Sequence, residues 1–186
     1  MAKAITRTKW LIDSDHSTVS FAVKYLMLAS VRGMMNKVTG AVYFDPPDVV
    51  NMDVEVEIDV ASVTTGVSKR DEHLKGPDFF DVSRYPKITF KSTKAESLGG
   101  RHIRLTGDLS LHGVTRQVVI EGEYTGPVKL PESMGGETSL GFTGSTTINR
   151  EDFGMNWGSI PMEGGMVADR EILITLDIET DLAGQA

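Results

Sequence analysis

The feature that most constrains this chain is a strict two-residue alternation of apolar and polar side chains. In "DVEVEIDV", Val54, Val56, Ile58 and Val60 fall on one side, and Asp53, Glu55, Glu57 and Asp59 on the other. In "REILITLDIET", Ile172, Ile174, Leu176 and Ile178 oppose Glu171, Thr175, Asp177 and Glu179. Successive side chains of a strand point to opposite faces, so these segments demand one dry face and one wet face. A helical period does not fit them. The same alternation groups Val19 with Phe21 and Val23, Val38 with Gly40, Val42 and Phe44, and Ile88 with Phe90. It also groups Leu140 with Phe142, Gly144, Thr146 and Ile148. "RHIRLTGDLSL" and "QVVIEGEY" flank an "HGVT" turn as a hairpin, with Gly107, Leu109 and Leu111 on one face. The pattern predicts an all-β fold of about eight antiparallel strands, closed as a barrel or stacked as a sandwich. No linker or repeat interrupts it, so a single domain over 8–182 is expected, with "GPVKLPESMGGE" as a long hairpin loop.

One connection departs from the alternation. The 66–84 segment can hold a short helix, with Ser68 and Asp71 spaced as a capping pair and Gly76–Pro77 as the stop. Phe79 and Phe80 follow at once and are expected to close one end of the interior.

Composition removes several classes of function. The chain has no cysteine, so disulfides, thiolate metal sites and a cysteine nucleophile are excluded. A net charge of −7 argues against nucleic acid as a partner, because phosphate contacts need a basic face. No apolar run approaches the ~20 residues of a membrane span. The first residues carry no apolar stretch of signal-peptide length, and a cytoplasmic location is the expectation, with a periplasmic one only if a leader was removed. His16, His73, His102 and His112 form no paired ligand motif, so no metal or cofactor is expected. Asp13, Asp15 and His16 in "DSDH" read most simply as a turn before the first long strand.

Two connections are apolar where connections are normally polar. "YLMLASVRGMMN" carries Met27, Met34 and Met35, and "FGMNWGSIPMEGGM" carries Met155, Met162 and Met166 beside Phe153 and Trp157. Methionine fills irregular space, so core packing is the plain reading and the rim of an apolar cavity the functional one. Lys69, Arg70, His73 and Lys75 concentrate positive charge on the short helix. A solvated helix face explains them, and so does a cationic rim with Arg84, Arg116 and Arg150 as further candidates.

Four stretches, in order, carry a resemblance. "DSDHSTVSFAVKYLM", "SKRDEHLKGPDFFDVSRYPKITFKS", "GDLSLHGVTRQV" and "INREDFGMNW" resemble the motifs of the YceI-like proteins over nearly the whole chain. The resemblance implies a lipocalin-like antiparallel barrel with an apolar interior that binds a polyisoprenoid lipid, either an isoprenoid quinone or a prenyl pyrophosphate. It implies homodimers in many members and transfers no catalytic set.

The resulting expectation is a non-enzymatic carrier or store of such a lipid. The tunnel candidates are Phe21, Val23, Phe44, Val54, Val56, Ile58, Phe90, Leu109, Leu111, Phe142, Ile174 and Leu176. The mouth candidates are Met27, Met34, Met35, Phe79, Phe80, Phe153 and Trp157, and the head-group candidates Lys69, Arg70, His73 and Arg84. Gly40, Gly107 and Gly144 share faces with these residues and are expected to leave volume for the ligand. A tail of ~40 carbons at ~0.3 kcal/mol per heavy atom supplies ~12 kcal/mol, a roughly nanomolar affinity. Two rivals stand beside this reading. One is an enzyme for an apolar isoprenoid-type substrate using His73, Arg70 and Asp71 at the mouth. The other is a solid-cored stress or interaction domain.

Overall fold

The computed structural model describes residues 7–162 and 165–184, and of Met162 and Met166 the backbone alone. The strands are β1 (Lys9–Tyr25), β2 (Ala29–Met35), β3 (Val38–Tyr43), β4 (Asp53–Asp59), β5 (Lys87–Gly99), β6 (His102–Leu111), β7 (Val114–Lys129) and β8 (Thr138–Asn149). A short ribbon of β9 (Pro161–Met162) and β10 (Gly165–Met166) precedes the last strand, β11 (Ala168–Leu182). One α-helix, α1 (Ser68–Lys75), lies between β4 and β5.

The nine strands other than the ribbon form one antiparallel sheet that closes on itself. β1 pairs with β11 along its length, from Trp10↔Leu182 to Tyr25↔Ala168. Its other edge takes β3 at Lys9–Leu11 and β2 at Val19–Tyr25. β2 and β3 are thus two halves of one broken stave, and the barrel has the eight positions the alternation predicts. Closure pairs every interior edge, which is how a small sheet avoids open edges.

The register separates two ends. At one end lie the β3–β4 connection, the β5–β6 turn, the β7–β8 loop and the outer ends of β1 and β11. This end is a packed floor. Phe44 and Leu140 are fully buried, Phe44 meets Tyr124 edge-on at 5.0 Å, and the Trp10 indole donates to the Phe44 carbonyl at 2.9 Å. At the other end lie the β1–β2 turn, the α1 connection, the His112–Gly113 turn and the chain at 150–162 and 165–167.

Several local expectations need correction. "DSDH" lies within β1, not before it. The strand bulges between Asp13 and Thr18, and the Ser17 hydroxyl holds the bulge by donating to the Glu179 carbonyl and accepting from the Glu179 N–H. His16 and Asp13 bond at 2.7 Å on the outside, which raises the His16 pKa and lowers that of Asp13. The loop after β7 is also shorter than expected, because β7 continues through Gly126 to Lys129.

Ser68 does not cap α1. The helix begins at Ser68 itself, and Val67 in the cap position offers no side-chain bond. Asp71 instead accepts from the Thr65 N–H at 2.7 Å and from the Thr65 and Thr64 hydroxyls. Thr64 in turn bridges to Met34 of β2 through paired backbone bonds. The helix is therefore moored to β2 from its first turn, and Gly76 ends it as expected.

Gly107 and Gly40 do not leave empty volume, whereas Gly144 borders a small interior chamber. A Cβ on Gly107 would lie 2.5 Å from the Phe90 ring and 2.5 Å from the Lys91 carbonyl. Its missing side chain makes room for Phe90 of the neighbouring strand, whose ring lies against it. Gly40 has φ of +143° and sits against the Glu55 carbonyl of β4, so it serves a tight backbone approach. A Cβ on Gly144 would be 3.1 Å from the Glu121 carbonyl.

Two outcomes follow from this packing. Gly40→Ala combines a disfavoured φ with a backbone collision and loses about 2–4 kcal/mol in urea unfolding. Gly144→Ala, with an ordinary φ and a milder contact, loses clearly less in the same assay. For the α1 mooring, hydrogen bonding from Thr65 chiefly holds the Asp71 carboxyl below its usual range, against a smaller opposing effect of burial. A lowered folded pKa stabilises above the unfolded value of about 4 and is lost as pH falls through the folded one. The melting-temperature difference between wild type and Asp71→Asn is therefore full at pH 7 and shrinks below about pH 4.

Candidate functional site

The barrel interior is not packed solid. Below the helix end lies an apolar chamber of about 190 Å³. Its side walls come from alternating residues of almost every stave. Phe21 and Val23 of β1, Met35 of β2, and Val56 and Ile58 of β4 face it, as do Phe90 of β5, Leu109 and Leu111 of β6, and Ile174 and Leu176 of β11. Its upper end is formed by Leu74 of α1, by Phe79 and Phe80, by Met155, and by Ala168 at the start of β11.

A smaller chamber of about 70 Å³ lies nearer the floor. Val54 and Phe142 line it together with Ile12, Ile103 and Leu105. Val56, Phe90, Ile120, Leu176 and Ile178 belong to both walls, so a partition of side chains alone separates the two spaces. The floor beneath carries Phe44, which shares the inward parity of Val42 but follows the end of β3 and seals the barrel rather than lining a chamber.

The other mouth candidates lie elsewhere. Met34 pairs with Ser20 on the outer surface and faces an external hollow beside Leu173. Met27 is on the exposed β1–β2 turn. Phe153 is buried but lines neither chamber. Trp157 is partly exposed and packs on the outer side of the upper end, with its ring 5.1 Å from both Phe79 and His73. Met155 and Met35 do reach the main chamber, whereas the side chains of Met162 and Met166 fall outside the described residues.

None of the proposed head-group residues forms part of a chamber wall. Arg70 donates to the Thr65 hydroxyl at 2.7 Å and to its carbonyl at 3.1 Å. His73 bonds Asp78 at 2.8 Å, and its ring meets Phe79 edge-on. Arg84 pairs with Asp81 at 3.8 Å and lies over the Tyr85 ring. Lys69 is exposed on α1. Arg70 and Asp71 thus both engage Thr65 while His73 engages Asp78, and the three do not form the reactive set considered for an enzyme.

Arg150, a further candidate for a cationic rim, is instead buried. It stands in the wall of the main chamber, but its guanidinium is committed to the backbone. It donates to the carbonyls of Asp169 at 2.7 Å, Met155 at 2.6 Å and Ala168 at 3.0 Å, and to the Ser159 hydroxyl at 3.2 Å. Burial lowers its pKa, and the charges of Glu151 and Asp169 oppose that shift. Arg150 clasps the chain that leaves β8 to the chain that starts β11. The neighbouring residues of "INREDFGMNW" serve the same bend. The Phe153 carbonyl bonds the His112 ring at 3.0 Å, and Gly154 turns the chain with φ of +78°.

Leu74, Ile120 and Ile178 line the main chamber without being among the expected tunnel residues. The signal for two of them was present, since Ile178 shares the face of Ile174 and Ile120 continues the alternation of "QVVIEGEY". Leu74 carried no such signal, because α1 presents no coherent apolar face.

The comparisons with known proteins agree with this architecture. A UPF0312 protein of Vibrio cholerae is 34% identical over 154 residues, covering 82% of this chain and 80% of its own. A UPF0312 protein of Pseudomonas savastanoi is 36% identical over 148 residues, covering 78% and 76%. Among solved structures, Burkholderia cenocepacia BcnA superposes with a TM-score of 0.77 at 26% identity, over 90% of this chain and 98% of that one. A polyisoprenoid binding domain from Saccharophagus degradans shares the fold with a TM-score of 0.66 at 12% identity, covering 95% and 99%. The YceI-like domain matches residues 10–180, and the chain belongs to the YceI-like family.

Proposed function

We propose that this protein binds a polyisoprenoid lipid, an isoprenoid quinone or a prenyl pyrophosphate, with its tail in the barrel and its head outside. The supporting observation is the main chamber itself, with apolar walls, a sealed floor and an upper end made of Leu74, Phe79 and Phe80. A branched hydrocarbon needs no hydrogen bonds and gains by leaving water. A quinone carbonyl or a phosphate in the same place loses its water without replacement, at a cost of about 1–3 kcal/mol for a neutral group and far more for a charged one. The head group therefore stays at the upper end, beside α1 and its exposed Lys69.

Magnitudes limit how much tail is held at once. An apolar cavity of ~150 Å³ accepts a benzene-sized molecule, so about 190 Å³ accepts roughly two isoprene units. Ten carbons at ~0.3 kcal/mol each give only ~3 kcal/mol, too little for a useful carrier. A ~40-carbon tail does not fit the chambers as they stand. Tight binding requires the tail to pass the shared partition into the second chamber and to cover part of the upper end. Phe90 is the bulkiest of the five residues shared by the two walls, and its ring lies against Gly107 of the neighbouring strand.

Native mass spectrometry of gently purified protein is expected to find a prenyl lipid. Added prenyl quinones are expected to raise the melting temperature, with the gain growing with tail length. No co-purified lipid together with no thermal shift would discard the reading. Ile174→Trp fills the main chamber and abolishes the shift while the barrel still unfolds cooperatively. Phe90→Ala joins the chambers, costing about 3–5 kcal/mol of stability while increasing affinity for the longer tails relative to the shorter.

A further inference from the structure

The end of the barrel above the chamber carries apolar side chains that are exposed among the described residues. Leu28 on the β1–β2 turn is 84% exposed and Ile160 in the chain at 150–162 is 66% exposed. Tyr25, Met27, Val67 and Trp157 are each more than a third exposed on the same end. These segments are tied together. The Leu26 N–H donates to the Val167 carbonyl at 2.9 Å, and Trp157 packs against Phe79 and His73.

The β1–β2 turn breaks the usual chemistry of a tight hairpin. Its central residues, Leu26 and Met27, have φ of +51° and +57°, a conformation that favours Asn or Gly. Large apolar residues held there at a cost, with Leu28 next to them in solvent, have a use outside the barrel. Charge points to what that is. From His16 to Phe44 the sequence contains no carboxylate, in a chain with 26 of them, yet it contains Lys24, Arg32 and Lys37. The arm is cationic and apolar on a protein of net charge −7.

We propose that this rim docks on a lipid bilayer that exposes anionic head groups. Leu28, Met27 and Ile160 enter the interfacial region, Tyr25 and Trp157 sit at head-group depth, and Lys24 and Arg32 meet the surface charge. The upper end of the chamber then faces the bilayer, so that a tail moves between them without crossing water. Docking rests on the rim alone. The transfer step rests on the lipid-binding reading above.

Flotation with phospholipid vesicles that contain no prenyl lipid separates the two. Phosphatidylcholine vesicles with a quarter phosphatidylglycerol are expected to carry the wild-type protein upward, and pure phosphatidylcholine to carry less. Met27→Asp with Leu28→Asp lowers partitioning at least tenfold. Lys24→Glu with Arg32→Glu removes the preference for anionic vesicles, at about fivefold per cation. Both variants keep the thermal shift given by a short-tailed prenyl quinone. Wild-type protein that stays out of the floated fraction, or variants that float as it does, would overturn docking. So would an unchanged partition with a Met27→Asp, Leu28→Asp variant that turns a dimer into a monomer, because the patch would then join two copies of this chain. Flotation without any quinone shift supports docking and removes only the lipid-binding reading.

Discussion

A sheet that closes into a ring must tilt its staves, and eight staves enclose a width that side chains alone can just fill. Everything else in this protein depends on how that interior is shared between its own residues and empty space. Near the floor, Phe44, Tyr124, Leu140 and Trp10 fill it. Toward the helix end the wall is mostly Val, Ile and Leu, whose side chains do not reach across. The space that remains is a product of residue size and not of a missing element.

The upper end needs a different solution, because strands cannot roof a barrel. The chain uses two connections. The first is moored by Asp71 and Thr64 to the broken stave and brings Leu74, Phe79 and Phe80 over the chamber. The second is clasped by Arg150, whose fixed fork of donors gathers carbonyls from both sides of the bend. A guanidinium in an apolar wall is costly unless its donors are satisfied, and here backbone oxygens satisfy them without placing a carboxylate inside.

Much of the barrel could be read from the sequence because strand parity is local. Val54, Val56, Ile58, Ile174 and Leu176 face inward for a reason visible in eight consecutive letters. What parity cannot give is position along the axis. Phe44 has the correct face and still misses the chamber, since it lies past the end of β3. Nor can parity say what a gap is for. Gly107 looked like vacated space, and the space belongs to Phe90 on the neighbouring strand. The connections were the least readable part. Met34, Met155 and Trp157 are equally apolar by composition, yet they lie outside the wall, in the chamber and on its outer edge respectively. Arg150 sits among motif residues whose letters do not distinguish a rim charge from a backbone clasp.

The sealed floor has a consequence of its own. A barrel open at both ends could pass a chain through, but here Phe44 and Leu140 close one of them. On the lipid-binding reading proposed above, a tail that enters past Leu74 and Phe80 leaves the same way, its first carbon in becoming its last carbon out. Filling and emptying then use the same face of the protein.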